Sequence, residues 1–195
     1  ALPIFPHEVS AMFDKVAAKY DITNDVLALG QTRVWRKAVL KAVSPKKGER
    51  ILDLAAGTGT STQPFYEVGA DAVACDFSPG MIEVGKKRYP HLTFIQGDAL
   101  DLPFKDNEFD HIVAKDVLEH LGDKPEDFVQ VIKEMYRISH NGAIWEVQAP
   151  HWRCDIAIDD PTHRRLITMG MFNMFNKKML IEKLQAGGSD SPLAF

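Results

Sequence analysis

Residues 50–60 read Arg-Ile-Leu-Asp-Leu-Ala-Ala-Gly-Thr-Gly-Thr, a short apolar strand pattern that runs directly into a loop with two glycines. Gly57 and Gly59 lack a Cβ, so the backbone of this loop can turn sharply and approach a ligand closely. A helix is expected to start near Thr60. A buried strand, a glycine loop and a helix in this order are typical of the first unit of a nucleotide-binding α/β sheet.

The spacing in this loop separates two kinds of nucleotide ligand. The dinucleotide fingerprint G-x-G-x-x-G needs a third glycine where Thr62 stands, so the sequence disfavours a nicotinamide-dependent oxidoreductase. Asp53, inside the strand beneath the loop, would repel a diphosphate but could receive the ammonium of an amino-acid group, directly or through water. The ligand that joins a nucleoside to an amino acid is S-adenosylmethionine. We therefore predict S-adenosyl-L-methionine as the cofactor.

The rest of the chain alternates between strand and helix patterns. Short apolar runs predict strands at 50–54, 72–76, 92–96, 109–114 and 143–149. Helical patterns cover 7–43, 78–88, 125–139 and about 174–186, and Ser78 is the expected N-cap of the second helix. This alternation predicts an α/β fold, a doubly wound Rossmann-like parallel sheet, in a single domain of residues 1–195. Within it we expect an N-terminal helical cap at 1–45, a cofactor-binding core at 46–150, and a substrate lid with the last helix at 151–195.

Charge and cysteine usage narrow the partners and the compartment. The chain has 195 residues, of which 45% are hydrophobic, and a formal net charge of -4. We expect one sizeable core and no nucleic-acid partner, because phosphate contacts need clustered Lys and Arg. Cys75 and Cys154 lie far apart without metal or redox spacing, which favours the reducing cytoplasm. No apolar run reaches the roughly 18 residues of a membrane span, while peripheral membrane contact stays open.

Acidic residues also end the next two predicted strands. Asp76 stands where a carboxylate that accepts both ribose hydroxyls is expected, and the apolar Phe77 and Met81 could pack on one face of an adenine. Asp98 is placed to accept from the adenine amino group, with the Ala99 backbone at the ring edge. Each acid alone could be a solvated turn residue. Three acids in order around one glycine loop favour binding, because ligands of such sheets bind at the carboxyl ends of the strands.

The loop after the fourth strand, Lys115-Asp116-Val-Leu-Glu119-His120, is expected to face the transferable methyl group. Asp116, Glu119 and His120 are therefore the candidate catalytic proton acceptors. The alternative is that the Glu-His pair only caps and orients a helix start. Lys115 is placed for a backbone contact to the cofactor.

Residues 149–165 concentrate His, Cys, Asp and Arg after the fifth strand, where they would overhang the substrate as a lid. No recognised ligand spacing joins the metal-binding types in this segment, so we predict no metal site; they are His151, Cys154, Asp159 and His163. The candidate substrate residues are His151, Arg153 and His163. The arginines Arg153, Arg164 and Arg165 could clamp a carboxylate or phosphate of the substrate, or be solvated loop residues.

The motif Asp53-x-Ala-x-Gly-x-Gly resembles motif I of class I S-adenosylmethionine-dependent methyltransferases. Residues 9–113 resemble the ubiquinone/menaquinone C-methyltransferases of the UbiE/MenG type, on segments that include Met12-Phe-Asp-x-Val-Ala-x-x-Tyr20-Asp-x-x-Asn24, Trp35-Arg36, Cys75-Asp-Phe-Ser78 and Gly97-Asp-Ala-x-x-Leu-Pro-Phe104. The resemblance implies a demethylated polyprenyl quinol as methyl acceptor and cofactor contacts by Thr58, Asp76, Asp98, Ala99 and Lys115. The full set of predicted cofactor-binding residues is Tyr20, Asp53, Ala55, Gly57, Thr58, Gly59, Asp76, Phe77, Met81, Asp98, Ala99 and Lys115.

Residues 115–165 resemble a different small-molecule methyltransferase branch. Lys115-Asp-Val-Leu-Glu-His-Leu121 is similar to general small-molecule methyltransferases, and Asp160-Pro-Thr-His163 to a motif often associated with glycan biosynthesis. We therefore expect a chain joined from two relatives, recombined or engineered. The fold implied by the resemblance has seven strands, and the sequence after the last predicted helix leaves no room for the final hairpin. This predicts a truncated chain, or a sheet edge completed by a partner such as a second copy in a homodimer.

The function that these patterns favour is methyl transfer from S-adenosylmethionine to a small molecule, with C-methylation in menaquinone or ubiquinone biosynthesis as the first choice. O- or N-methylation of another small molecule or a glycan precursor is one alternative. A non-catalytic S-adenosylmethionine-binding module is the alternative from a different class. Release of S-adenosylhomocysteine with any acceptor separates an enzyme from such a module.

Overall fold

The computed structural model describes residues 31–175. Its elements in chain order are α1 (Gln31–Val43), β1 (Arg50–Leu54), α2 (Gln63–Glu67), β2 (Asp71–Asp76), α3 (Pro79–Arg88), β3 (Thr93–Gln96), β4 (Phe109–Lys115), α4 (Pro125–Ile138), β5 (Ser139–Gln148), α5 (Asp155–Asp159) and α6 (Met169–Asn173). Tyr20, the first part of the predicted 7–43 helix and nearly all of the predicted 174–186 helix lie outside the described residues.

Five parallel strands form one sheet in the order β3-β2-β1-β4-β5, which confirms the predicted doubly wound α/β fold. From β1 the chain adds β2 and then β3 on one side. It then crosses back and adds β4 and β5 on the other side of β1. Leu54 pairs with both Cys75 and Ala114, so β1, β2 and β4 end at the same level. The loops that follow them meet at this carboxyl edge, where doubly wound sheets bind their ligands.

β5 is longer than the sequence indicated, so the predicted start at residue 143 is wrong. The strand begins at Ser139, directly after α4, and Ser139 pairs with Phe109 ahead of a register shift. Backbone hydrogen bonds thus extend the strand through the polar residues 139–142, where apolar patterning gives no signal. The bounds of the other four strands agree with the prediction to within one residue.

Both faces of the sheet are covered, because successive strand residues point to opposite sides. Ile112 packs on one face with Phe128, Ile132 and Met135 of α4. On the other face, Val113 packs in a second buried cluster whose other members are Val43, Ile51, Phe65, Ala70 and Ala72. Two-sided burial explains the nearly continuous apolar runs of β1, β2 and β4.

Polar contacts fix several helix ends and loops against this core. Ser78 is the N-cap of α3, as predicted, and its Oγ accepts a hydrogen bond from Met81 N at 3.1 Å. Buried Glu134 accepts from Leu102 N at 2.8 Å, and Arg137 donates to the carbonyls of Leu102 and Phe104 at 2.9 and 2.8 Å. These contacts tie α4 to the loop after β3. Among the helices of residues 31–175, none combines the length and apolarity needed to cross a bilayer.

Candidate active site

The glycine loop after β1 lies at the carboxyl edge, and its three residues Ala55, Gly57 and Gly59 have positive φ values of 59°, 56° and 77°. Within the described chain, no atom beyond the adjacent residues lies within 4 Å of the position that a Cβ would take on Gly57. A Cβ on Gly59 would lie 2.5 Å from the Phe94 ring. Gly57 therefore leaves open space beside the backbone, whereas Gly59 lets the loop pack against β3. Ala55 has a Cβ, so its left-handed conformation is sterically less favourable than the same conformation would be for glycine.

Asp53 lies beneath this loop and is only 2% exposed. Its Oδ2 accepts hydrogen bonds from Ser61 Oγ and Thr62 Oγ1, both at 2.7 Å. Burial raises the pKa of Asp53 to about 6, against the lowering effect of the two hydroxyls. The carboxyl group thus fixes the end of the loop at Ser61 and Thr62. When it is ionised, these two hydroxyl hydrogen bonds do not fully offset the cost of burying its charge. The two hydroxyls were not singled out from the sequence, where Ser-Thr reads as an ordinary helix start.

Asp76, at the end of β2, is joined to the glycine loop. Its Oδ2 accepts from Gly57 N at 2.7 Å, and its Oδ1 accepts from Ser78 N at 2.9 Å. The side chain stays half-buried at the carboxyl edge. Phe77 is 41% exposed beside it, whereas Met81, on the first turn of α3, is buried. Phe77 is therefore the apolar group that this part of the edge presents, and a contact from Met81 to a ligand would need the side chain to move.

Two more predicted cofactor residues begin the loop after β3. Oδ1 of Asp98 accepts from Leu100 N at 2.9 Å, and Asp101 N donates to the Asp98 carbonyl at 3.0 Å, which makes a tight turn. The Asp98 side chain is exposed, while Ala99 is half-buried and packs on the core. The turn keeps the carboxylate at the surface of the same edge as Asp76.

Thr58 is buried within the glycine loop. Its Oγ1 lies 3.1 Å from Thr60 Oγ1, and Nη1 of Arg88 on α3 lies 3.5 Å from both hydroxyls. The Thr58 side chain thus faces α3. The predicted contact from Thr58 to a cofactor would come from its backbone.

Lys115, the last residue of β4, is half-buried, and its Nζ lies 2.8 Å from Asp116 Oδ2. Lys115 lines a small pocket together with Arg36 of α1 and Ser61, the same serine that donates to Asp53. Asp116 has a left-handed φ of 49° and is exposed. The pocket therefore has two cationic side chains in its wall and is joined to the buried Asp53 carboxyl group through Ser61. Arg36 was not predicted as a site residue.

Glu119, His120 and His163 form a second group at this edge, which we call the Glu-His-His cluster. One ligand-type atom of each lies within 4.8 Å of the others, and the two imidazole centroids are 4.6 Å apart. Glu119 is 2% exposed, and among residues 31–175 no other residue offers a hydrogen-bond partner to either carboxylate oxygen. Burial raises the pKa of Glu119. Asp116, the third predicted proton acceptor, is not part of this group.

The other lid residues lie elsewhere. Arg153 stacks over the Trp152 ring at 4.4 Å, and His151 stacks on the same ring with centroids 5.7 Å apart. Arg164 pairs with Asp123 at 3.1 Å, and Arg165 stacks over Phe128 and donates to the Gly122 carbonyl. The predicted clamp of three arginines is therefore not assembled, because two of them bind the segment that leads into α4. His163 alone of the three predicted substrate residues meets a predicted catalytic residue.

The family model described as the ubiE/COQ5 methyltransferase family matches residues 5–153. The chain belongs to this family. The demethylmenaquinone methyltransferase of Streptomyces griseus is 49% identical over 150 residues, which are 75% of this chain and 64% of that protein. The corresponding enzyme of Renibacterium salmoninarum is 50% identical over 137 residues, 70% of this chain and 56% of that protein. The chain thus spans less than two thirds of the length of either relative.

Solved structures share the fold. The YcgJ protein of Bacillus subtilis superposes with a TM-score of 0.62 at 20% identity, over 75% of this chain and 66% of its own. Phosphoethanolamine N-methyltransferase 2 of Haemonchus contortus, solved in complex with S-adenosyl-L-methionine, gives a TM-score of 0.59 at 20% identity, over 78% and 41%. At this identity the likeness concerns the fold alone.

The family match bears on two predictions made from the sequence. The methyltransferase family and, with it, S-adenosylmethionine as the cofactor are confirmed by the family match. The match also continues past residue 114 to residue 153, so the comparisons give no support to the expectation that two different relatives meet near that position.

Proposed function

We propose that this protein transfers the methyl group of S-adenosylmethionine to a ring carbon of a demethylated menaquinol. The observation that carries the proposal is Gly57, which has open space beside its backbone and donates to Asp76 at the carboxyl edge of the sheet, in a chain of the ubiE/COQ5 methyltransferase family. Relatives named demethylmenaquinone methyltransferase support the choice of acceptor.

The cofactor would lie across the carboxyl edge with its three parts on three strands. Its ribose hydroxyls would bind Asp76, the carboxylate at the end of β2 that also accepts from Gly57 N and Ser78 N. The adenine would lie between Phe77 and the turn at Asp98. Its ammonium would face Asp53, and the pocket that holds Arg36 and Lys115 would receive its carboxylate. In this assignment residues 46–150 are the cofactor-binding core, and residues 151–175 border the acceptor.

The Glu-His-His cluster follows β4, next to Lys115, on the side proposed for the acceptor. A ring hydroxyl of the quinol must lose a proton to raise the electron density of the ring, and His120 or Glu119 would accept it. S-adenosylmethionine would supply the methyl group. As the bond between the ring carbon and the methyl forms in line, the methyl–sulfur bond would break and leave S-adenosylhomocysteine. The proton at the methylated carbon would then pass to the phenolate oxygen, which restores the quinol. The protein contributes orientation and exclusion of water.

The segment after β5 carries exposed apolar side chains that suit a lipid acceptor. They are Trp152, Ile156, Ile158, Leu166, Met169 and Met174. A polyprenyl tail is entirely apolar, so it would bury such surface or leave this part of the protein in contact with the membrane that holds the quinone. Peripheral membrane contact is therefore part of the proposal.

The proposal is tested by incubating the chain with S-adenosylmethionine labelled in its methyl group with deuterium and with chemically reduced demethylmenaquinone. Mass spectrometry is expected to find one labelled methyl group on the quinone ring. Asp76→Ala should abolish cofactor binding in calorimetry and the product with it. Asp71→Ala, at the other end of β2, is the matched control and should keep both.

Two outcomes would overturn the proposal in different ways. Unchanged cofactor affinity in Asp76→Ala would refute the binding site. Tight cofactor binding without product from any quinol would favour a non-catalytic module, and product formed only with a different small molecule or a glycan precursor would move the acceptor to another class.

A further inference from the structure

We propose that Glu119, His120 and His163 bind a divalent transition-metal cation, for which Zn²⁺ is the best match to the donors. Two imidazoles and one carboxylate are a ligand set that zinc takes with a further position left open. Mg²⁺ is disfavoured because it prefers oxygen donors. The site is separate from the cofactor residues but shares Glu119 and His120 with the proton acceptors proposed above. A bound cation would occupy their lone pairs, so these two residues would accept a proton only in the metal-free protein. The test of the site needs neither cofactor nor methyl acceptor.

The buried Glu119 carboxylate is the first observation that points to a cation. It is 2% exposed, and both oxygens lack hydrogen-bond partners from other residues of the described chain. An ionised carboxylate in such a place is strongly destabilising unless a positive charge lies beside it. One ring nitrogen of each of the two neighbouring imidazoles lies within 4.8 Å of a Glu119 carboxylate oxygen and of the other nitrogen. A metal ion would satisfy all three groups at once.

The hydrogen bonds on the outer side of the two imidazoles fix their tautomers for metal binding. Nδ1 of His163 lies 3.1 Å from the Ala157 carbonyl, which can only accept, so Nδ1 carries the hydrogen and Nε2 has the lone pair. Thr162 Oγ1 donates its single hydrogen to Asp160 Oδ1 at 2.6 Å. It can therefore only accept from Nδ1 of His120, 3.1 Å away, which leaves Nε2 of His120 as the other donor.

These outer contacts match the pattern seen around metal-binding histidines, whose second ring nitrogen usually donates to a carbonyl or a carboxylate. Here His163 uses a carbonyl, and His120 uses a hydroxyl that is held by a carboxylate. The hydrogen bonds from Thr162 lower the pKa of Asp160, so the relay ends on an ionised group. Asp160 Oδ2 also lies 3.8 Å from Nε2 of His163 and adds negative potential at the cluster.

The distances need only a small closure. In tetrahedral zinc sites with bonds of 2.0–2.2 Å, the ligand atoms lie about 3.4 Å apart. The ligand atoms of the cluster lie within 4.8 Å of one another. Side-chain rotations that move these atoms by about 1 Å would therefore complete the site. The backbone is already in place, because Arg164 N donates to the Glu119 carbonyl at 2.7 Å and joins the two loops.

The binding test uses the full chain, freed of metal with a chelator and titrated with Co²⁺ and then Zn²⁺. We expect one Co²⁺ per chain, seen by its visible absorption, and complete displacement by Zn²⁺, with no response to Mg²⁺. Glu119→Gln and His163→Ala should each weaken binding at least about tenfold. His140→Ala is the matched control, because His140 pairs with Asp110 at the opposite edge of the sheet and should leave binding unchanged.

A folding readout keeps the test decisive if a variant is unstable. Without metal, Glu119→Gln should melt no lower than the unsubstituted protein, because it replaces an uncompensated buried carboxylate with a neutral amide. With Zn²⁺ in excess, the unsubstituted protein should gain thermal stability and Glu119→Gln should not. The proposal fails if the unsubstituted protein binds neither Co²⁺ nor Zn²⁺, or if Glu119→Gln binds them equally well. The first outcome would leave the cluster a metal-free proton network.

Discussion

Replacing Asp53 by Asn should make the protein more stable at neutral pH and less able to bind its cofactor. The buried carboxyl group has a pKa of about 6 in the folded protein and 3.8 as its ordinary value. Between these two values the folded state holds a proton that the unfolded state has released, so stability falls as the pH rises from about 4 to about 6. Asn carries no charge, yet its amide oxygen can still accept from Ser61 and Thr62.

The size of the effect follows from the separation of the two pKa values. A difference of about two pH units corresponds to about 3 kcal/mol of unfolding free energy. The pKa of about 6 already contains the lowering effect of the hydrogen bonds from Ser61 and Thr62, so they need no separate correction. Asp53→Asn should therefore be about 3 kcal/mol more stable than the unsubstituted protein at about pH 7.5, and the gain should vanish near pH 4. The nearby charges of Asp76 and Lys115 act on this carboxyl group in opposite directions.

Urea unfolding at a series of pH values measures this difference directly. Asp71→Asn, at the start of β2, is the matched control; it loses only a surface ion pair with Arg50 and should lower stability by less than about 1 kcal/mol at neutral pH. In calorimetry, Asp53→Asn should weaken S-adenosylmethionine binding at least about tenfold, because the ammonium loses its counter-charge. An Asp53→Asn protein that keeps the full slope of stability between pH 4 and pH 6, or that is less stable at neutral pH, would refute the argument.

Three further predictions concern the loop and its supports. Gly59→Ala should cost about 3 kcal/mol of stability in chemical unfolding, because its Cβ would lie 2.5 Å from the Phe94 ring at a left-handed φ. Gly57→Ala should cost only about 1 kcal/mol of stability, yet it should weaken cofactor binding more than Gly59→Ala does, since its Cβ would point into open space where the ligand is proposed. Equal losses of stability in the two variants would contradict this prediction. Glu134→Ala should cost about 2 kcal/mol of stability, because Arg137 and the Leu102 amide lose their hydrogen-bond acceptor. Lys133→Ala, at an exposed neighbouring position, is the control and should change stability little. Equal losses in the two variants would show that the Glu134 contacts do not stabilise the fold.

The cofactor half of the fold was readable from the sequence because its signals are local. Strand, loop and helix follow one another within residues 50–67. Asp76 ends one apolar run, and Asp98 comes shortly after the next, behind Gln96 and Gly97. A parallel sheet brings such strand ends to one edge whatever the details of packing. Given the order β3-β2-β1-β4-β5, right-handed crossovers place the connecting helices on opposite faces on the two sides of β1.

The acceptor half depends on contacts between distant segments, which local patterns do not reveal. His163 was grouped with His151, Cys154 and Asp159 because they are close in the sequence. The structure instead places His163 beside His120, through a backbone hydrogen bond between Arg164 and Glu119. The prediction of no metal site rested on spacing within one segment, and the cluster draws on two.

Two buried carboxylates at the carboxyl edge, Asp53 and Glu119, are each left short of positive charge by the described chain. Burial raises the pKa of both, and under the two proposals above a cation bound beside each carboxylate would offset the cost of ionising it. Their surroundings differ in a way that selects different cations. Hydroxyl groups hold Asp53, which suits an ammonium that needs hydrogen-bond acceptors around it, while two imidazole nitrogens flank Glu119 and suit a metal ion. Under these proposals, the buried carboxylate of Asp53 would bind the ammonium of the cofactor, and that of Glu119 would bind a metal ion in the loop after β4.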